Sequence, residues 1–233
     1  MSFCFFSHHK KSDRRTLVAF FAVTTFLMPA MLVAGCGDTN TDSTGGSTAT
    51  ISQVGSLTRP APGMVEMIDS KNDISASQDM TAAPSWLDIN SVSIAQEGGN
   101  LNLTLDMAGA TPDKMQAGIA AEWGFMLNVD MDGTPDWVVY ASDTYQDNWT
   151  AGIFNPKTKM RLTGAEFPGA FSHSDTKVIL TISPAAVGSP QGFKWFAFAN
   201  EYMKSSSGQA QQAGDKVPEK AAVDNSANWL PYP

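Results

Sequence analysis

The chain has 233 residues, with 15 Lys and Arg against 23 Asp and Glu and a formal charge of −8. A balance that acidic repels phosphate backbones and anionic headgroups, which excludes nucleic acid as a partner. After an N-terminal processing segment, roughly 145 residues from Trp86 to Tyr232 suit a single domain.

The N-terminal segment is read first. "HHKKSDRR" supplies a basic stretch with Lys10, Lys11, Arg14 and Arg15, and "TLVAFFAVTTFLMPAMLVAG" supplies an apolar core that ends in small residues. "LVAGC", Leu32 to Cys36, closes it. Basic stretch, apolar core and box come in the order of a secretory signal. The arrangement resembles the signal and lipobox of bacterial lipoproteins. That resemblance implies removal of residues 1–35, lipidation of Cys36 and a chain held on its membrane through N-terminal lipid. Several acyl chains, at about 0.8 kcal/mol per buried methylene, hold far more firmly than one. The alternative is an uncleaved anchor of roughly 20 apolar residues, against which stand Pro29, Ala34 and Gly35. In enterobacterial lipoproteins an Asp directly after the cysteine marks retention at the inner membrane; here Gly37 stands there. The expected place is therefore the cell envelope, at the outer membrane if the cell is Gram-negative.

Processing changes the arithmetic. The 15 and 23 become 11 basic and 22 acidic side chains, a balance of −11. Cys4 leaves with the signal and Cys36 is spent on lipid, so no disulfide is expected in the mature chain.

Residues 36–56 are dominated by Ser, Thr, Gly, Asn and Asp. They bury too little to offset their ordering entropy and read as a disordered tether. Residues 57–85 contain prolines and scattered apolar positions without a period, and read as an irregular lead-in. From Trp86 the pattern becomes short alternating runs between turn clusters. In "LNLTLDMAG", Leu101, Leu103, Leu105 and Met107 share one face. In "EWGFMLNVD", Trp123, Phe125, Leu127 and Val129 do the same. "DWVVYAS", "WTAGIFN", "KVILTIS" and "GFKWFAFA" are further strand-length runs. The expected fold is all-β: an antiparallel two-sheet β-sandwich over residues 86–233, with little helix. "TPDKMQAGIAAE" is allowed a helical turn or two, and "SPAAVG" one turn capped by Ser183 with Pro184 at its first position.

The order "DINSVSI", "LNLTLDM", "NVDMDGTPDW", "KVILTISPAAVGSP", "FKWFAFA" and "NWLPYP" resembles DOMON-like β-sandwiches and the related family 9 carbohydrate-binding modules. The resemblance covers Pro84 to Tyr232. It implies a jelly-roll-like sandwich and one of several ligands, since relatives take sugars, haem or partner proteins. Haem-binding members use Met and His ligands. His173, in the loop-like "FSHSD", is the only histidine left after processing and reads as a solvated loop residue.

Three kinds of chemistry are weighed. There is no Gly-x-Ser-x-Gly elbow, no phosphate-cradling glycine loop and no His-Glu-x-x-His. Glu122 and Glu166 are available for glycoside hydrolysis, but a working pair must stand about 5 to 10 Å apart across a cleft. A non-enzymatic chain is the preferred reading. Sugar binding has better material: Tyr140, Tyr145 and Trp149 are the ligand-binding candidates, with aromatic packing inside the fold as the competing account. Finally, Asn128, Asp130, Asp132 and Asp136 match D-x-D-x-D-G-x-x-D with Asn at the first place, which resembles calcium loops of EF-hands and integrin-type repeats. Ca²⁺ takes about six to eight oxygens, and Gly133 permits the sharp turn. Val139 stands where an EF-hand needs its Glu, so a true EF-hand is excluded. The competing account is a hairpin whose Asp and Asn bond their own backbone.

The expectation is a binding or adhesive module for carbohydrate or another envelope protein, with Ca²⁺ as its candidate cofactor. A structural envelope protein is second and a glycan-processing enzyme third.

Overall fold

Alternation of apolar and polar residues decides the architecture, because a strand whose every second side chain is apolar must lay that face on another layer. A computed structural model describes residues 55–76, 83–144, 149–205 and 208–233. The signal, Cys36, all but the last two residues of the tether (Gly55 and Ser56), and Tyr145 lie outside the described residues. Among the described residues no helix is long and apolar enough to cross a membrane.

The described residues form fourteen strands in chain order: β1 Leu57–Thr58, β2 Met64–Ile68, β3 Ser75–Ala76, β4 Ile89–Glu97, β5 Asn100–Met107, β6 Ile119–Asn128, β7 Trp137–Thr144, β8 Thr150–Phe154, β9 Arg161–Thr163, β10 Gly169–Ser174, β11 Lys177–Ile182, β12 Phe193–Ser205, β13 Gly208–Val217 and β14 Leu230–Tyr232. One sheet has the order β1-β2-β4-β5-β11-β10. The other runs β3-β13-β12-β6-β7-β8-β9, with β14 also on β12. Every pairing is antiparallel. The fold is the antiparallel two-sheet β-sandwich that the alternation predicts.

Register sets the core. In the first sheet Ile94, Leu103 and Leu180 stand side by side, as do Val92, Leu105 and Val178. In the second, Ala197, Phe125, Val139 and Ile153 form one row. These rows meet in a single buried cluster with Trp123 and Trp195. Each fully buried side chain of this kind contributes about 1.5–3 kcal/mol.

The second sheet is also covered outside. Tyr140, Phe196, Phe198, Ala221 and Trp229 form a separate buried cluster, with Met126, Val138 and Phe154 against it. Trp229 meets Phe196 edge-on at 4.7 Å, and its Nε1 donates to the Ala222 carbonyl at 2.8 Å. The connection from β13 to β14 thus lies over the sheet. This is why β6 carries Gly124 and Met126 opposite Trp123, Phe125 and Leu127: the strand is covered on two faces.

Three expectations change. Residues 57–85 are not uniformly irregular, since β1, β2 and β3 lie within them and join both sheets. In "MVEMI" only Val65 and Met67 face inward, too short a period to stand out beside the prolines. The "TPDKMQAG" segment makes no helix; Gly118 takes a positive φ of 87° and "IAAE" begins β6. His173 is not in a loop. It lies in β10 and stacks on Trp149 with ring centroids 4.3 Å apart. The Ser183-capped turn forms as expected, a 3-10 turn over Pro184–Val187 with the Ser183 side chain accepting from Ala185 N–H.

Candidate metal centres and ligand cleft

The loop between β6 and β7 brings three of its four expected residues to one point. Asp136 Oδ2 accepts the N–H groups of Val129 and Asp130 at 2.7 and 3.1 Å. Asp130 Oδ1 accepts from Asp132 N–H, and Asp132 Oδ1 accepts from the N–H and hydroxyl of Thr134. Each carboxylate spends one oxygen on the loop's own backbone, and Gly133 takes the positive φ that the turn requires. The other three oxygens converge on the Lys157 ammonium at 2.8, 2.8 and 2.6 Å. An ammonium has three N–H donors, so its capacity matches the three carboxylates.

Lys157 arrives from the turn after β8. Asn155 Oδ1 accepts the N–H groups of Lys157 and Thr158 and holds that turn in shape. The hydrogen bonds to Asp130, Asp132 and Asp136 raise the Lys157 pKa, and the one from Lys157 lowers that of Asp132. Asn128 does not join the cage. It is 0% exposed, and its Nδ2 donates to Ser226 Oγ at 3.1 Å.

A second acidic group was not apparent from spacing. Asp69, Asp73, Asp215 and Glu219 each place one carboxylate oxygen within 4.8 Å of the others. Asp69 follows β2, where its N–H donates to the Asn90 carbonyl, and Asp73 precedes β3. Asp215 lies in β13, and Glu219 follows the cis Val217–Pro218 bond. The group therefore stands where the chain passes from one sheet to the other. Asp215 Oδ2 ties the layers directly by accepting Ile89 N–H from β4 at 2.7 Å.

The nearest cation, Lys216, only partly offsets the shift of Glu219. Among the described residues, none of the four makes an ion pair. Asp69 is 4% exposed, and its Oδ2 is buried without a hydrogen-bond partner. Both oxygens of Asp73 are buried without a well-formed hydrogen bond; its own N–H and the Ser70 hydroxyl only partly offset the cost of burial. Burial first, then the charge of Asp215, pushes Asp69 up to about 8. Burial also pushes Asp215 up to about 7, with Asp73 and Glu219 adding repulsion. Glu219 is raised by burial and by Asp73.

Beside this group a cleft of about 260 Å³ opens on the outer face of the second sheet. Its apolar lining includes Met126, Phe196 and Phe198 and its polar lining Asn200, Lys216 and Glu219, while Asp215, whose carboxylate turns inward to Ile89, borders it from β13. The aromatic candidates lie elsewhere. Tyr140 is 6% exposed, packed in the outer cluster with the Arg161 guanidinium 5.7 Å from its ring centre. Trp149 is stacked between Trp123 and His173, and its Nε1 donates to the Pro112 carbonyl. In this conformation neither ring offers a free face to a sugar. Glu122 lies in β6, raised by burial against the opposing pull of Arg161, while Glu166 ends the exposed 3-10 turn Gly164–Glu166.

No model of a known family, no curated protein and no solved structure matches this chain. The site therefore rests on its own geometry.

Two outcomes follow. Folded Asp69 and Asp215 keep protons that the unfolded chain releases near pH 4. Their stabilising contribution is complete below that pH and is lost as pH rises through 7 and 8. In a chelating buffer, melting should therefore fall by on the order of several °C between pH 5.5 and 8.5. Asp69→Asn with Asp215→Asn should flatten that slope, whereas a midpoint that rises over the interval contradicts the assignment. Replacing Lys157 with Met leaves three facing carboxylates. Its melting point should drop in chelator and recover with millimolar Ca²⁺ more than the wild type's does, and an unchanged melting point in chelator would show that the ammonium carries no weight.

Proposed function

We propose that the chain is a lipid-anchored protein of a bacterial envelope whose β-sandwich serves as a non-catalytic binding module for a small polar ring, such as a terminal sugar. The observation that carries this reading is the cleft on the outer face of the second sheet. Its apolar floor with an amide, an ammonium and a carboxylate at the rim, from Asn200, Lys216 and Glu219, is the mixture that takes a ring face and its hydroxyls. Its volume lies just below the roughly 300–1,000 Å³ of ordinary small-molecule pockets, which suits one ring better than an oligomer.

The same geometry supports a module without catalysis. Asp215 and Glu219 are gathered with Asp69 and Asp73 rather than set on opposite sides of a bound bond. The second reading, a structural envelope protein with no soluble ligand, is favoured by the burial of Trp123, Trp195 and Tyr140, which leaves no exposed aromatic strip among the described residues.

The anchoring half rests on "LVAGC" and on the polar residues that follow it. Cys36→Ser should move the protein from the membrane fraction to the soluble one, and retention on the membrane would refute lipid anchoring. For the binding half, the purified full chain is probed on a glycan array. Binding to at least one terminal sugar is expected, weakened about tenfold by Lys216→Ala, the loss of one charged hydrogen bond. A blank array leaves the structural reading.

A further inference from the structure

We propose that Asp69, Asp73, Asp215 and Glu219 bind one calcium ion, which clamps the chain where it crosses between the two sheets. The inference does not depend on what the neighbouring cleft holds.

Two independent observations carry it. The first is convergence: four carboxylates from two segments far apart in sequence bring one oxygen each to within 4.8 Å of the others. The second is an unmet need inside the group. The Asp69 side chain is almost fully buried, and its Oδ2 meets no donor. Buried acceptors in a folded chain are otherwise satisfied, because an unpaired one keeps the full cost of leaving water. A cation placed among the four supplies the missing partner and removes their mutual repulsion at once.

Donor type and coordination habit choose the ion. Four carboxylate oxygens with no His or Cys suit a hard cation and not zinc. Ca²⁺ accepts irregular shells of about six to eight oxygens, whereas Mg²⁺ demands a near-ideal octahedron and keeps several of its waters. Four carboxylates gathered within 4.8 Å from two separate segments suit the more tolerant ion. Glu219 is exposed, so water can complete the shell from that side.

The ion would fasten specific elements. Asp69 follows β2 of one sheet, Asp73 leads into β3 of the other, and Asp215 belongs to β13, on which β3 pairs through Gly214 and Ala213. Calcium thus holds the short β3 pairing and the turn before it. Residues 70–76 have no fully buried side chain of their own to hold them.

The test is calorimetric titration of the chelator-stripped full chain with CaCl₂ and with MgCl₂, with melting curves in parallel. Expected are one Ca²⁺ per chain, weaker Mg²⁺ binding and a raised melting point. Asp73→Asn with Glu219→Gln should weaken Ca²⁺ at least roughly tenfold, since affinity follows ligand charge. With repulsion reduced, that variant should melt above the wild type in chelator and below it in calcium, a crossover that lost packing would not produce. Asp130→Asn with Asp132→Asn should leave the binding intact. The proposal is overturned by a wild type that shows neither heat nor stabilisation at about 10 mM Ca²⁺, beyond the range of extracellular calcium modules. It is equally overturned if binding survives in Asp73→Asn/Glu219→Gln and vanishes in Asp130→Asn/Asp132→Asn, which would place the ion on the β6–β7 loop.

Discussion

Carboxylates that cannot all stay charged where the fold puts them are the constraint on which much of this structure turns. Asp215 has to be buried, because its Oδ2 receives Ile89 N–H and so joins β13 to β4 across the sandwich. That bond satisfies a backbone donor between the layers and fixes how the sheets meet at this end. Asp69 and Asp73 then enter the same space as the chain crosses from β2 to β3, and Glu219 closes it. Desolvation and repulsion accumulate together, and the group must hold protons or a cation.

The loop between β6 and β7 solves the same problem differently. Asp130 and Asp132 are exposed, Asp136 is buried, and each already spends one oxygen on its own backbone. A side chain from the β8–β9 turn, Lys157, takes the remaining oxygens. A cluster with two of its three carboxylates in water shares its charge with solvent, so one flexible lysine suffices. The buried group has no such lysine, which separates a loop neutralised from within from a group that looks outward for its cation.

Much of the sandwich was legible from alternation alone, since β5, β6, β7, β11 and β12 carry their burial in their sequence. What escaped was the element whose order comes from its neighbours. β2 is five residues close behind Pro60 and Pro62, and β13 is a mix of polar and small residues that owes its place to pairing with β12. At the site, the convergence of Asp130, Asp132 and Asp136 was readable, because a turn enforces it locally. The Lys157 that meets them was not, being placed by the β8–β9 hairpin. Asp69 and Asp73 on one side and Asp215 and Glu219 on the other are joined only by tertiary structure. The repeated four-residue spacing in "DSKND" and "DKVPE" was the one trace of them in the sequence. Tyr140 and Trp149 read as binding residues for their chemistry, yet the second buried face of β6–β8 and the stack beneath β10 claim them for packing.

The most direct measurement is a crystal of the full chain soaked in a calcium-mimicking lanthanide, with the anomalous signal mapped. The account predicts one strong peak bounded by Asp69, Asp73, Asp215 and Glu219, and none within the Asp130–Asp132–Asp136 cage while Lys157 occupies it. A peak in that cage with Lys157 displaced, or no peak at the crossing between the sheets, would contradict it.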